Sequence, residues 1–186
     1  RLEAEFKGAK PLERERAKKE TALLERLHDG LASDVPIRQQ EVSAEDQKSL
    51  NNYQFLTAKP LFIIFNIGED QLPDAAKLEA EMQKRLGKPR VQVAAMCGKL
   101  ETELGQMTAE DEKEFRASLG AGEPAAARVI RLSYELVGLI SFFTVGEDEC
   151  RAWTIPLETP ALKAAGQIHS DIERGFIRAE VVGYED

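Results

Sequence analysis

The fold is decided by residues 60–99, "PLFIIFNIGEDQLPDAAKLEAEMQKRLGKPRVQVAAMCGK". The stretch opens on a continuous apolar run, residues 60–66, whose length suits a strand covered on both faces, as in a parallel sheet flanked by helices. A helix is expected from Asp74 to Gly87, followed by a second short apolar strand, "RVQVAAMCG", that ends at Cys97-Gly98-Lys99. Strand, helix and strand of these lengths make a right-handed crossover unit of an α/β sheet. Ligands of such sheets collect outside the carboxyl ends of the strands. Both "NIGE" (66–69) and "CGK" (97–99) lie at that edge.

On the N-terminal side, Pro11 is placed to open a helix that runs through "LERERAKKETALLERLHDG", with Gly30 as its stop. Its apolar stripe is weak at Leu12 and strong only at Leu23 and Leu27, as in an arm exposed on most sides. The preceding "RLEAEFKG" reads as the last turns of another helix, and the two together as a helical hairpin. Since the first helix opens before residue 1, the chain reads as a piece of a longer protein. Ser43-Ala44-Glu45-Asp46 resembles a capping box and starts a short helix toward Tyr53.

On the C-terminal side, Thr108-Ala109-Glu110-Asp111 caps a helix ending near Gly120, and Pro124 opens another carrying "AAARVIRLSYELVG". From Leu139 the period changes. "LISFFTVGEDECRAWTIP" is two β-rich runs around Gly146-Glu147-Asp148, a hairpin signal. Thr159-Pro160 starts one helix, "PALKAAGQIHSDIERG", and "FIRAEVVGYED" reads as a further strand.

The 186 residues, 42% of them hydrophobic, suffice for one sizeable core or two small ones. A formal charge of -8 supplies no basic field, so DNA is not an expected partner and any RNA contact would need a local patch. No apolar run approaches the roughly 20 residues of a spanning helix, and the opening residues lack the apolar core of a signal peptide. A cytoplasmic protein with no membrane role is expected. Cys97 and Cys150, far apart and outside any CxxC spacing, carry neither a zinc nor a disulfide signature.

At the strand end, an asparagine followed three residues later by a carboxylate can recognise a purine base: the acid accepts amine hydrogens while Asn66 braces neighbouring loops. The same tetrapeptide also suits an Asx-type turn that does nothing more than end a strand. Cys97-Gly98, one crossover away, is small enough to let backbone amides approach a ligand.

"LTAKPLFIIFNIGED" (56–70), "CGKLETEL" (97–104), "RVIRLSYELVGLISFFTVGEDECRAWTIP" (128–156) and "AAGQIHSDIERGFIRAEVVGYED" (164–186) together resemble the YchF or Obg-like ATPase family, a branch of the translation-factor-like P-loop NTPases. The last two stretches are the specific ones, around Arg151-Ala152-Trp153-Thr154-Ile155 and from Ile168-His169 through Glu180, and are similar to the TGS module of that family. The resemblance implies an α/β fold: part of a P-loop NTPase parallel sheet with an inserted helical hairpin, followed by a truncated α+β, ubiquitin-like TGS module. The expected segments are 1–50 for the coiled-coil-like insert, 51–138 for the C-terminal half of the nucleotide domain with connecting helices, and 139–186 for the TGS module.

It also implies a site. Asn66-Ile67-Gly68-Glu69 matches the family's Asn-x-x-Glu, which stands where ordinary GTPases have Asn-Lys-x-Asp, and Cys97-Gly98-Lys99 falls in the second base-side loop. An Asp there accepts two parallel hydrogen bonds from guanine; Glu, one methylene longer, misaligns that pair. ATP becomes at least as acceptable as GTP. Ile67, in place of the usual Lys, is expected to give the base an apolar cover without the charge. The chain has no G-x-x-x-x-G-K-[ST], and no segment offers the ligands for the Mg2+ that phosphoryl transfer needs, so both are assigned to residues outside it. The complete protein is expected to be a monomeric ATP hydrolase associated with the ribosome or ribosomal RNA, and this chain alone to be inactive. The alternative is a non-catalytic ribosome- or RNA-binding module that uses the TGS domain and the helical arm.

The other chemistry-bearing residues have plainer readings. His28 suits a helix end, and His169 with Asp171 suits a surface or capping role rather than a catalytic dyad. Phe142, Phe143 and Trp153 offer stacking surfaces for RNA or else a small core. Arg151, Lys163, Arg174 and Arg178 form a local basic patch or a scattered solvated face. Cys97 is an inert small residue unless Lys99 or a helix N-terminus activates its thiol.

Overall fold

The computed structural model describes residues 11–146 and 148–183. The first helix of the expected hairpin, on residues 1–8, lies outside the described residues. Two compact units divide the chain, one up to Leu100 and one from Glu101 onward.

The first unit begins with α1 (Pro11–Ala32) and α2 (Ala44–Leu50). Leu23 and Leu27 of α1 close a core with Ile37 and Leu50, against which Val42, Phe55 and Ala58 pack, while Leu12 stays exposed. The stripe is therefore strong only at the C-terminal end of the helix, as its sequence implies. α1 does not stop at Gly30. The side-chain amide of Gln40 lies against Gly30 and donates to the carbonyls of Leu27 (3.2 Å) and Val35 (2.8 Å), and the left-handed residue that ends the helix is Asp34, with φ 59°. α2 starts as expected, with Ser43 Oγ accepting from the Asp46 amide at 3.0 Å, and ends at Leu50, short of Tyr53.

The crossover follows. β1 (Leu61–Asn66) leads through a 3-10 segment (Glu69–Asp74) into α3 (Ala75–Leu86), and β2 (Val91–Met96) returns parallel to β1, with Leu61 opposite Val91 and Asn66 opposite Met96. α3 packs on β2, and Glu79 of α3 accepts a hydrogen bond from the Ala95 amide at 2.6 Å. β2 is buried almost throughout. β1 departs from the expectation of cover on both faces: Leu61 is 39% and Ile64 44% exposed, because the described sheet has two strands and its helix lies on the second.

β2 runs into α4 (Gly98–Leu104), which reaches into the second unit. There α5 (Ala109–Leu119) is capped by Thr108, whose Oγ1 accepts from the Asp111 amide, and ends at Gly120 with φ 64°. α6 (Ala125–Val137) is entered from Pro124 and ended by Gly138 with φ 67°. Both glycines sit where an L side chain is strained. The hairpin is β3 (Leu139–Val145) and β4 (Cys150–Pro156), antiparallel, with Phe142 opposite Trp153 and Ile140 opposite Ile155, and closed by a Gly146 amide bond to the Glu149 carbonyl at 2.9 Å.

Two expectations fail in this unit. The single helix after Pro160 is two, α7 (Ala161–Ile168) and α8 (Ser170–Arg174), broken at His169. His169 is extended (φ −163°, ψ 145°), and its Nδ1 accepts the Asp171 amide at 3.2 Å. A local side-chain acceptor here replaces the next helical bond. Residues 176–183 form no strand: Ile177 and Val181 are 91% and 86% exposed, and the segment pairs with neither strand of the hairpin. Strand-like composition makes a strand only where a neighbour takes up its amides and carbonyls. Among the described residues no helix is long and apolar enough to cross a membrane.

Candidate functional site at the strand ends

The two carboxyl ends of the parallel pair are tied by backbone and side chain. The Ile67 amide donates to the Met96 carbonyl at 3.0 Å, carrying the ladder one step past β1, and Asn66 Oδ1 accepts from the Gly98 amide, also at 3.0 Å. Asn66 thus does the bracing its sequence position suggests. Gly98 eases the approach, since a Cβ at that position would stand 3.2 Å from Asn66 Oδ1, tighter than an ordinary contact.

Glu69 opens the 3-10 segment, a turn held by the Gln71 amide on the Gly68 carbonyl (3.1 Å) and by the Gly68 amide on Gln71 Oε1 (3.0 Å). The turn brings Glu69 Oε1 to 2.9 Å from Lys99 Nζ. Four of the six expected site residues, Asn66, Glu69, Gly98 and Lys99, therefore meet in one place, across some thirty positions of sequence. All four face solvent, as a site open to a ligand must.

The other two stand differently. Ile67 is only 8% exposed, so its side chain packs inward, away from the solvent-facing side chains of Asn66 and Glu69. Asn66 and Glu69 on either side keep the polar faces outward, and the apolar side chain fills the interior instead. Cys97 is 3% exposed, in keeping with an inert small residue. Nor is "CGK" a loop: Cys97 is the one residue between β2 and α4, and Gly98 and Lys99 form the first turn of α4. Helical geometry leaves the Gly98 amide pointing out of the N-terminal end of α4, where Asn66 meets it.

Chemically, the edge presents an amide, a carboxylate and an ammonium, a set able to meet both the donors and the acceptors of a purine edge. These residues fit a base. They do not fit the metal that accompanies a nucleotide triphosphate: among the described residues no group of three or more His, Cys, Asp or Glu is placed to hold an ion.

The strongest electrostatic cluster was not singled out by the sequence. Arg116 of α5, 7% exposed, directs Nη1 and Nη2 at the two oxygens of Glu101 (2.9 and 2.7 Å) and Nε at Glu112 (2.8 Å), and Glu101 also accepts the Ala125 amide at 2.9 Å. The hydrogen bonds from Arg116 hold the Glu101 carboxyl below its ordinary range although burial pushes it up, and Glu101 in turn raises the Arg116 guanidinium. Only Glu112 to Arg116, four residues apart on a helix, was visible as a local signal. The cluster ties α4, α5 and the start of α6 together, with all three guanidinium nitrogens engaged by carboxylates. His28 pairs with Asp29 on the surface, and Trp153 lies under Arg151, 4.3 Å from the guanidinium carbon to the ring centre, as part of the hairpin.

Fold and strand-end arrangement define an α/β protein with a parallel crossover unit and a following antiparallel hairpin module. The family model YchF-GTPase_C, described as a protein of unknown function (DUF933), matches residues 139–186. The Ribosome-binding ATPase YchF of Bacillus subtilis is 38% identical over 169 residues, covering 90% of this chain and 46% of that protein, and the Ribosome-binding ATPase YchF of Escherichia coli O157:H7 is 38% identical over 170 residues, covering 91% and 47%. The solved structure of the Schizosaccharomyces pombe YchF GTPase superposes with a TM-score of 0.72 at 31% identity, covering 92% of this chain and 46% of that one. The chain belongs to the YchF family. It spans about half the length of the curated relatives it matches.

Proposed function

We propose that residues 61–99 form the base-recognition side of the nucleotide site of a YchF-type NTPase that binds and hydrolyses ATP, with GTP a comparable or poorer ligand, and that works in the cytoplasm on the ribosome. The observation that carries this reading is the Asn66–Gly98 hydrogen bond joining the carboxyl ends of two parallel strands, with Glu69 and Lys99 beside it. That edge is where α/β sheets bind ligands. The relatives named as ribosome-binding ATPases support the ribosome and the hydrolysis.

In this reading the grip on the phosphates and Mg2+ comes from residues outside the described ones. P-loop NTPases hold a nucleotide chiefly by backbone amides, a lysine and magnesium around the phosphates, and the base loops select. The 186 residues alone are then without ATPase activity and bind ATP far more weakly than the full-length protein. Calorimetric ATP titration of the full-length protein, its Asn66→Ala variant and the 186-residue chain tests both parts. Asn66→Ala should weaken binding roughly tenfold, in line with loss of a bracing hydrogen bond at a polar site. Wild-type affinity in that variant would remove Asn66 from the site, and turnover by the 186 residues would place the phosphate site within them.

A further inference from the structure

The Glu69–Lys99 pair carries a consequence for which purine the site takes. A carboxylate selects guanine by accepting two parallel hydrogen bonds, one on each oxygen, from the ring N–H and the exocyclic amine. Adenine presents a single amine beside a ring acceptor, and asks for one oxygen at most. In this chain Oε1 of Glu69 faces the Lys99 ammonium at 2.9 Å. The carboxylate is thereby half engaged and its charge offset before any base arrives.

The arrangement depends on the fold. Lys99 reaches Glu69 because Gly98 opens α4 directly beside Asn66, and Glu69 is turned toward it by the Gly68–Gln71 bonds that shape the 3-10 segment. The two side chains come from the ends of different strands, so the pair spans the mouth at which a base would enter. Neither is buried, with side-chain exposures of 72% for Lys99 and 48% for Glu69. A pair this exposed contributes little to stability, which leaves it able to influence a ligand without being needed for the fold.

From this we infer that Lys99 is a specificity-determining residue: by holding Glu69 Oε1 it competes with guanine for one of the two oxygens that base requires, and biases the site toward adenine. The inference rests on the base-side reading above. It assigns to an ion pair a selectivity that the length of the glutamate side chain alone would otherwise have to supply.

The test is competition binding of ATP and GTP to the full-length protein and to its Lys99→Met, Lys99→Arg, Lys99→Met/Glu69→Gln and Asn66→Ala variants. Lys99→Met frees the carboxylate and should shift the ratio of affinities toward GTP by roughly three- to tenfold, the range of one hydrogen bond gained. Lys99→Arg keeps the pair and should hold the original ratio. The double variant has no carboxylate to free, so the shift should vanish. A role in folding alone would not produce that dependence on Glu69. An unchanged ratio in Lys99→Met, or a shift toward ATP that showed Lys99 itself donating to guanine O6, overturns the inference. If Asn66→Ala binds both nucleotides as tightly as the wild type, the base-side reading fails and this inference with it; if that variant binds weakly while Lys99→Met leaves the ratio alone, the reading stands and only the role of Lys99 falls.

Discussion

Arg116 and Glu101 meet through two parallel hydrogen bonds of 2.9 and 2.7 Å, with the arginine almost fully buried and the glutamate also accepting the first amide of α6. Removing the guanidinium leaves a carboxylate without its main donor in a partly dry place. Arg116→Met is expected to cost about 2–3 kcal/mol, below the range for a fully buried pair because Glu101 and Glu112 keep some contact with water. Glu101 sits below its ordinary value of 4.5 when folded, so its contribution is present above that value and is lost as pH falls through the lower, folded value. The gap in urea midpoint between wild type and Arg116→Met should therefore be widest near neutrality and narrow as pH falls below 4.5, the ordinary value of the carboxyl. A gap independent of pH would mean that packing, and not charge, accounts for the loss.

Gly98→Ala separates stability from binding. Alanine is a better helix residue by about 1 kcal/mol in a helix interior and by less in a first turn, so the fold should be unharmed or slightly firmer. The new Cβ stands 3.2 Å from Asn66 Oδ1 and makes that side chain give way by a few tenths of an ångström. ATP affinity of the full-length protein should fall roughly threefold to tenfold, the value of a strained hydrogen bond. Titration beside a melting curve shows whether the two quantities part as expected.

At Gly30 the expected sign is reversed by a neighbour. A Cβ would lie 2.3 to 2.6 Å from the amide group of Gln40, which would have to leave its two carbonyl partners. Gly30→Ala should lower stability by about 1 kcal/mol despite the gain in helix propensity. In a Gln40→Ala background the same change should be stabilising. A double-mutant cycle by urea unfolding measures the difference, and additivity of the two substitutions would show that the contact has no energetic weight.

Restoring a GTPase-like loop is not a matter of two equivalent substitutions. Ile67 is buried, so Ile67→Lys must bring an ammonium through apolar packing and should cost about 2–3 kcal/mol, moderated by snorkelling of the long side chain. Glu69→Asp leaves the core alone, draws the carboxylate back from Lys99 and should raise GTP affinity relative to ATP. Competition binding and thermal melting of the two single variants test this. A stable Ile67→Lys protein would mean that position 67 can turn outward.

What the sequence made legible was local. Ser43 and Thr108 accept the amides three residues on, and Gly120 and Gly138 end helices in the left-handed region, because a cap is chosen by residues within one turn of itself. The crossover was legible for the same reason, its apolar runs and helix each announcing their own period. Where a distant residue intervened, local rules misled. Gln40 carries α1 past Gly30, and Arg116 is fixed by a glutamate fifteen residues away. His169 is the instructive case: its capping role follows from its neighbours, yet the helix break that capping requires was hidden by residues that favour helix on both sides. At the site, Asn66, Glu69, Gly98 and Lys99 came from a motif resemblance, and the inward turn of Ile67 did not: its amide extends the ladder to Met96, so it keeps the alternation that turns Ile63 and Phe65 to the covered side.

The two cysteines differ in one further way. Cys150 lies exposed at the turn end of the hairpin, opposite Val145, while Cys97 is buried, next in sequence to Gly98, whose amide Asn66 holds. A thiol reagent will therefore modify the first at once and the second only when the strand ends part, so the slow phase of labelling becomes a clock for breathing at the site. Added nucleotide should slow that clock, and the rate can be read without a radioactive phosphate or a fluorescent base.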